Sequence, residues 1–156
     1  MLNPGSLQAA IAGLLTEPYA KDPASAAKKL AGAYHKYAVQ GQVGGIPRIP
    51  TGTEESLLAG PLAAAFAVIP NTSVAVASAV IAGLTAYWAG AAFGAAGTAT
   101  PAGLVGAPAL QTALNGILAK PNTDAVSLAQ QLATTLHTAT LTLAVISPAG
   151  APVVIA

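Results

Sequence analysis

Apolar residues recur every three or four positions along most of the chain, which is the pattern of helices with one buried face. In the first such segment Leu7, Ile11 and Leu14 share one stripe, and Ser6 before them suits an N-cap. Because Pro and Gly separate this segment from those that follow, the pattern predicts several short helices. The most regular of them are expected over about 6–16, 22–40, 73–93 and 109–119.

Boundary residues refine this series. Asp22 followed by Pro23 is a favoured helix start, because Pro is tolerated at the first helical position. A third helix is expected to start near Thr53 and to be interrupted by Pro61 within two turns. A last helix follows the capping residues at 122–124. Beyond about Thr138 the chain becomes Thr-rich and β-branched, so this helix is expected to give way to an extended segment.

Three stretches lack the helical pattern. Residues 41–52 contain four Gly and two Pro, residues 94–108 are again rich in Gly and Pro, and residues 147–156 form an apolar tail punctuated by Pro. The first two are expected to be ordered loop arms and the third an extended tail. The predicted fold is therefore all-α: one helical domain over 1–156, built as a small Ala-rich bundle with long loops.

Composition limits the functions that this fold can serve. Hydrophobic residues make up 54% of the chain and charged residues only 7%, with a formal net charge of +1. That balance leaves no basic stripe for nucleic acid, so no specific nucleic-acid partner is expected. The absence of Cys excludes disulfides, thiolate nucleophiles and Cys-ligated metals. A surface with so few charges is expected to be covered by other protein or by lipid.

The chemistry-bearing residues do not form a recognisable site. His35 and His137 lie on different predicted helices, and a zinc site needs three or four ligands. Glu54 and Glu55 are adjacent and would point about 100° apart on a helix, which suits the helix dipole better than acid–base catalysis. The sequence lacks the phosphate-loop, dinucleotide and nucleophile-elbow patterns. We therefore expect a protein that is not an enzyme, without catalytic residues, cofactor or metal, in which His137 is satisfied and partly buried.

Two apolar groups are candidates for contacts between subunits. Tyr87, Trp88 and Phe93 form the strongest aromatic cluster, which suits a protein interface, the lipid boundary or an anchor in the core. At the carboxyl end, Val153, Val154 and Ile155 belong to a tail too short to make a core of its own. If this tail is ordered, a neighbouring subunit is expected to supply the surface that it packs on, for example by strand addition.

Several phrases give the chain a family resemblance. These are LNPGSLQAAI, PASAAKKLAGAYHKYA, LTAYWAGAAFGAAG, ALQTALNGILA and the closing APVVIA. Together they resemble the small virion proteins of tailed bacteriophages that belong to the neck, tail-completion or capsid-associated groups. The resemblance implies a structural protein of the virion, assembled in the host cytoplasm as a homo-oligomeric ring or layer near the head-to-tail connector. Its partners would be copies of itself and portal, adaptor, tail or capsid proteins.

A membrane protein is the first alternative, and a soluble enzyme or ligand-binding module is the second. The stretch over 73–93 has no charge and is long enough to cross a hydrocarbon core of about 30 Å. Its Ala, Gly, Ser and Thr contribute little to insertion, and it has no flanking cluster of Lys or Arg, so membrane contact is disfavoured. This alternative predicts a small pore-forming protein of the holin type with a span near 73–93. The amino terminus also lacks the basic region of a signal peptide, so no export signal is expected.

Overall fold

The fold of the chain is all-α. The computed structural model describes residues 1–16, 22–89, 91–96, 98–99, 107–120, 124–146 and 152–156. These residues form six helices, α1 (Pro4–Thr16), α2 (Pro23–Ala38), α3 (Glu54–Phe66), α4 (Ser73–Trp88), α5 (Ala107–Leu118) and α6 (Ala125–Leu141). They also form five short strands, β1 (Gln42–Val43), β2 (Ile46–Pro47), β3 (Thr98–Ala99), β4 (Ala144–Ile146) and β5 (Pro152–Val154).

The helices close into a bundle. Each helix packs on the next along the chain, and α1 also packs on α6, so the circuit of contacts is complete. Small residues allow these close approaches: Ala27 and Ala31 of α2 and Ala129 of α6 are fully buried. The core of the bundle therefore depends on helix backbones that lie near one another as well as on large side chains.

Helix starts follow local chemistry. The Asp22 carboxylate accepts hydrogen bonds from the backbone N–H groups of Ala24 and Ser25 at 2.8 and 3.2 Å, and Pro23 is the first helical residue, as predicted. In α1 the helix begins at Pro4 and the Asn3 side chain accepts from the N–H of Gly5 at 2.9 Å. The prediction of Ser6 as the N-cap was therefore wrong by three residues.

The predicted break at Pro61 is wrong, because α3 continues through it to Phe66. Pro inside a helix costs about 3 kcal/mol through a lost hydrogen bond and a steric clash. Here α3 packs between α2 and α4, and it buries Leu58 and Leu62 on either side of Pro61. Burial of two leucines is worth about 3–6 kcal/mol, enough to outweigh the local cost.

The uncharged segment over 73–93 is not one continuous helix. α4 ends at Trp88, and the chain then turns so that the Ala92 carbonyl accepts a hydrogen bond from the Ile49 N–H at 2.8 Å. The 16 residues of α4 span about 24 Å along the helix axis, which is less than the hydrocarbon core of about 30 Å. In the described ranges, none of the helices combines the length and the apolar character needed to cross a membrane.

The first loop arm contains a small hairpin. β1 and β2 pair antiparallel, and the two residues between them, Gly44 and Gly45, have φ values of 57° and 82°. Positive φ at both positions is the requirement of a tight hairpin turn, and glycine meets it without strain. The predicted loop arm over 41–52 therefore contains two short paired strands. Of the second arm over 94–108, residues 97 and 100–106 lie outside the described part of the chain.

The carboxyl end is built into the chain's own structure. β5 pairs antiparallel with β4, which in turn pairs with β3. Ala156 and Gln42 then exchange two backbone hydrogen bonds of 3.0 and 2.9 Å. The expectation that a neighbour must supply the packing surface is therefore wrong, because β4 and Gln42 supply it. Residues 147–151 of the predicted tail lie outside the described part of the chain.

Candidate functional site

A buried arginine organises a cluster of polar side chains in the core. Arg48, from the first loop arm, donates from Nη1 to the Tyr87 hydroxyl at 2.6 Å and from Nη2 to Glu54 Oε1 at 3.2 Å. Its guanidinium carbon lies 4.5 Å from the centre of the Tyr87 ring and 4.4 Å from that of Trp88. Ion-pair, hydrogen-bond and cation–π contacts together offset part of the cost of burying the charge, whereas Arg48 Nε is buried without a hydrogen-bond partner among the described residues.

Glu54 is held as a carboxylate. Burial acts to raise its pKa, but hydrogen bonds from backbone N–H groups, that of Thr51 foremost, and the charge of Arg48 act against it, so the pKa is lowered. The Thr51 and Gly52 N–H groups donate to its two oxygens at 2.8 and 2.9 Å. Glu55 lies instead beside Gly32 of α2. The side chains of the two adjacent glutamates therefore point to different places, as predicted. The ion pair between Glu54 and Arg48 was not predicted from the sequence.

Each histidine is paired with a tyrosine. His35 Nδ1 lies 2.9 Å from the Tyr87 hydroxyl, and His137 Nδ1 lies 2.6 Å from the Tyr37 hydroxyl. The prediction that His137 is satisfied and partly buried is confirmed. In the described ranges, no group of three or more His, Cys, Asp or Glu side chains comes together as a metal site.

Tyr34 completes the cluster. Its hydroxyl accepts a hydrogen bond from Trp88 Nε1 at 2.8 Å and lies 2.7 Å from Thr140 Oγ1 on α6. Burial raises the pKa of Tyr34 to about 12, against the lowering effect of these hydrogen bonds. The cluster therefore joins α2, α4, α6 and the first loop arm through hydrogen bonds between buried side chains, which stabilise one arrangement of these elements.

The residues predicted to contact other subunits differ in how exposed their side chains are. Tyr87, Trp88 and Phe93 are at most 1% exposed, so they are core anchors, and their rings offer no surface to a partner. Ile155 is also buried and Val153 is half-buried against the core, whereas Val154 is 70% exposed. Within this set, only Val154 keeps the exposure that a contact between subunits requires.

An apolar cavity of about 280 Å³ lies at one end of the bundle and is partly open to solvent. It lies where α1, α3 and α5 end and where α2, α4 and α6 begin. All six helices contribute to its lining, through Leu14, Leu30, Phe66, Val80, Leu118 and Leu132. An apolar cavity with few polar groups is the usual form of a site for a small apolar ligand.

The cavity has a distinct floor and mouth. Ile11, Leu114 and Leu136 in its lining are buried, whereas Leu15 and Lys29 are exposed. Among the described residues that line the cavity, Lys29 is the only charged one. A neighbouring groove is lined by Lys29 together with Lys28 and Lys36 of the same helix and with Glu55 of α3.

Sequence reasoning missed both features for identifiable reasons. Arg48 lies among Gly and Pro, a context that predicts an exposed loop, and nothing local indicates that it is buried. Three leucines of the cavity lining, Leu128, Leu132 and Leu136, recur every four residues in the sequence. Leucines that pack closely against another helix have the same spacing, so the pattern does not indicate a cavity.

Comparison of the chain with protein-family models, with curated proteins and with solved structures gave no match.

Proposed function

We propose that this chain is a non-enzymatic structural protein of a tailed-phage virion. It forms a homo-oligomeric ring or layer in the head-to-tail connector region and contacts portal, adaptor, tail or capsid proteins. The assignment to a phage particle rests on the motifs that resemble small phage virion proteins. The assembly role rests on the exposed apolar side chains, because subunits of an assembly need apolar surface for their contacts.

The supporting observation is an apolar end face. Ten large apolar side chains are exposed in the described residues, and five of them lie at, or directly beside, the ends of helices that line the cavity. These five, called the end face below, are Leu15, Val68, Ile69, Val74 and Val126. Ile69, in the turn between α3 and α4, is 88% exposed. Clustered apolar side chains on a surface mark sites of contact with other molecules.

The low charge of the chain strengthens this argument. Small domains remain separate in solution through interspersed charges and a net charge of about 2–8, whereas this chain has six basic and five acidic residues. Covering the end face in an assembly removes apolar surface from water. A closed ring or layer of copies does so for every subunit.

Mass measurement of a charged variant tests the assembly role. Val126 is the second residue of α6, where the helix dipole favours a carboxylate, so Val126→Glu charges the end face without harming the helix. We expect the native protein to form a defined oligomer in light scattering and rings in electron microscopy, and the variant to be smaller. Ser56→Glu is the matched control, because Ser56 is exposed in the first turn of α3.

Two results would contradict the proposal. One is a native protein that is monomeric at all concentrations, and the other is an oligomer that survives Val126→Glu unchanged. The virion assignment is tested separately by mass spectrometry of density-purified particles of the phage that encodes the chain. We expect the protein at a stoichiometry of several copies per particle, and its absence from intact particles would refute the assignment.

A further inference from the structure

We infer that His35 is a proton-sensitive switch that controls how firmly Arg48 holds the first loop arm against α4. Neutral His35 accepts a hydrogen bond from the Tyr87 hydroxyl, whereas protonated His35 competes with Arg48 for the oxygen of that hydroxyl. The inference concerns the buried polar cluster and does not depend on the assembly role.

The direction of each hydrogen bond follows from the donors present. A guanidinium has N–H donors and no acceptor, so Arg48 Nη1 donates to the Tyr87 oxygen at 2.6 Å. The Tyr87 hydroxyl then has one proton left to donate, and His35 Nδ1 lies 2.9 Å from it. His35 Nδ1 is therefore the acceptor, and the neutral ring carries its proton on Nε2.

Protonation of His35 removes this acceptor. Both nitrogens of an imidazolium are donors, so His35 Nδ1 and Arg48 Nη1 would donate to the same oxygen. The proton of the Tyr87 hydroxyl is then left without an acceptor in a residue that is 0% exposed, and two positive groups lie beside one atom. Withdrawal of Arg48 with the loop arm relieves both costs, because the Tyr87 oxygen is then free to accept from His35 alone.

Other titratable groups lie on the elements packed around α2. From α3, Glu54 binds Arg48 and Glu55 lies beside Gly32 of α2, whereas α1 has no titratable residue. The remaining groups are Tyr34 and Lys36 of α2, His137 of α6 and the amino group of Met1, which donates to the Gln40 carbonyl. Outside the described ranges, the titratable residues are Glu17, Tyr19 and Lys21, which precede α2 in the sequence. Single replacements of His35 or His137 leave all the others in place, so a comparison of these variants isolates each histidine.

The second pair of a histidine and a tyrosine provides an internal control. His137 Nδ1 lies 2.6 Å from the Tyr37 hydroxyl, but Arg48 donates to Tyr87 and not to Tyr37. The Tyr37 hydroxyl is therefore free to donate to neutral His137 or to accept from the protonated ring. Protonation of His137 leaves its hydrogen bond in place, whereas protonation of His35 does not.

Unfolding equilibria at pH 7.5 and 5.5, the range in which histidine side chains titrate, test the switch. We expect the unfolding equilibrium constant of the native chain to rise about tenfold as the pH falls, since protonation of His35 breaks a buried hydrogen bond that the unfolded chain lacks. His35→Gln should remove this rise, and the matched control His137→Gln should keep it. The inference is wrong if the native chain shows no rise, if the rise persists in His35→Gln, or if it is lost in His137→Gln.

Two NMR measurements on the native chain test the geometry directly. The ¹⁵N shifts of His35 at pH 8 should show a protonated Nε2 and an unprotonated Nδ1, and the opposite tautomer would overturn the inference. Opening of the arm is followed by hydrogen exchange of the Arg48 and Ile49 N–H groups, which bond to the Gly41 and Ala92 carbonyls. After correction for the intrinsic rate at each pH, their protection should fall about tenfold between pH 7.5 and 5.5 in the native chain and stay constant in His35→Gln. Constant protection in the native chain would show that His35 does not control the arm.

Discussion

Gly83 of α4 crosses Leu58 of α3 with no room for a side chain between them. A Cβ at position 83 would lie 2.7 Å from Leu58 Cδ1 and 3.1 Å from the Leu58 carbonyl oxygen. The methyl group could rotate away, but the carbonyl belongs to the helix backbone. The distance between α3 and α4 is therefore set by the glycine.

Replacing Gly83 by Ala should destabilise the protein. Ala is the better helix former by about 1 kcal/mol, but separating two packed helices costs about 1–3 kcal/mol and should exceed that gain. The free energy of unfolding is measured by chemical denaturation. The control is Gly116→Ala in α5, where an added Cβ meets nothing within 4 Å, and this variant should gain up to about 1 kcal/mol. Equal stabilisation by both changes would contradict the prediction.

The Arg48–Glu54 pair should make stability depend on pH in the acid range. The folded state lowers the pKa of Glu54 below the ordinary value of 4.5 that unfolding restores. Its contribution is therefore fully present above that ordinary value and is lost as the pH falls through the folded pKa. Glu54→Gln leaves the Arg48 charge buried without a counter-charge, which should cost about 3–5 kcal/mol at pH 7 and flatten the acid dependence.

Unfolding free energies at pH 7, 5, 4 and 3 test this prediction. Some acid dependence should remain in Glu54→Gln, because hydrogen bonds from Ser25 and Ser127 also lower the pKa values of Asp22 and Asp124. Glu55→Gln removes the neighbouring carboxylate and leaves the Arg48–Glu54 pair in place. Parallel pH curves for the native protein and Glu54→Gln would show that the pair contributes nothing in this range.

Buried tyrosines should limit stability at alkaline pH. Burial raises the pKa values of Tyr34, to about 12, and of Tyr37 and Tyr87. Because the folded pKa values exceed the unfolded value near 10, the contribution is complete below pH 10 and is lost as the pH rises. Phenolate absorbance at 295 nm from these three residues should therefore appear together with loss of helix. The chain has four tyrosines, so phenolate formation near pH 10 by more than one of them, with the helices intact, would contradict this.

The Tyr34 hydroxyl is the group to remove within that cluster. Tyr34→Phe leaves the buried Trp88 N–H without its acceptor and Thr140 without one partner, which should cost about 1–3 kcal/mol. Thermal unfolding followed by circular dichroism measures the loss. Thr16→Val, which removes an exposed hydroxyl on α1, is the control and should change the stability by less than about 0.5 kcal/mol.

Local pattern predicted the helices because each has an apolar stripe and its own boundary residues. Asp22 and Pro23 start α2 by contacts within three residues, so the sequence alone contains that information. Pro61 misled the prediction because the packing of α3 between two helices outweighs a local cost. Beyond the end of α4, the hydrogen bond from the Ile49 N–H to the Ala92 carbonyl joins positions far apart in the sequence, and a local pattern does not contain such a contact.

The candidate site was less predictable than the fold. The cavity is formed by six helices, and its volume depends on how closely they pack. The spacing of apolar residues along one helix therefore does not determine that volume. The burial of Arg48 needs the rings of Tyr87 and Trp88 beneath it and the carboxylate of Glu54 beside it. The sequence left three roles open for those rings, which were a protein interface, the lipid boundary and a core anchor. The fold buries both rings in the core.

The carboxyl-terminal strand gives the last prediction, because it corrects the expected role of the tail. Ile155 is 2% exposed and its Cγ2 lies 3.2 Å from the place where a Cβ on Gly41 would be, so it closes the core beside the first loop arm. Ile155→Ala should therefore cost about 2–5 kcal/mol, as for other buried isoleucines. Val154→Ala, one residue earlier and 70% exposed, should change stability by less than about 0.5 kcal/mol.

Thermal and chemical unfolding of both variants decide between a core strand and a tail that serves only other subunits. A core strand predicts that Ile155→Ala lowers the unfolding free energy at every protein concentration, because β4 and Gln42 of the same chain hold the strand. A tail that packs only on a neighbour predicts a loss that is present in the concentrated protein and disappears on dilution as subunits separate. If Ile155→Ala destabilises the concentrated protein and has no effect on the dilute protein, Ile155 contacts a neighbouring subunit and the prediction is wrong.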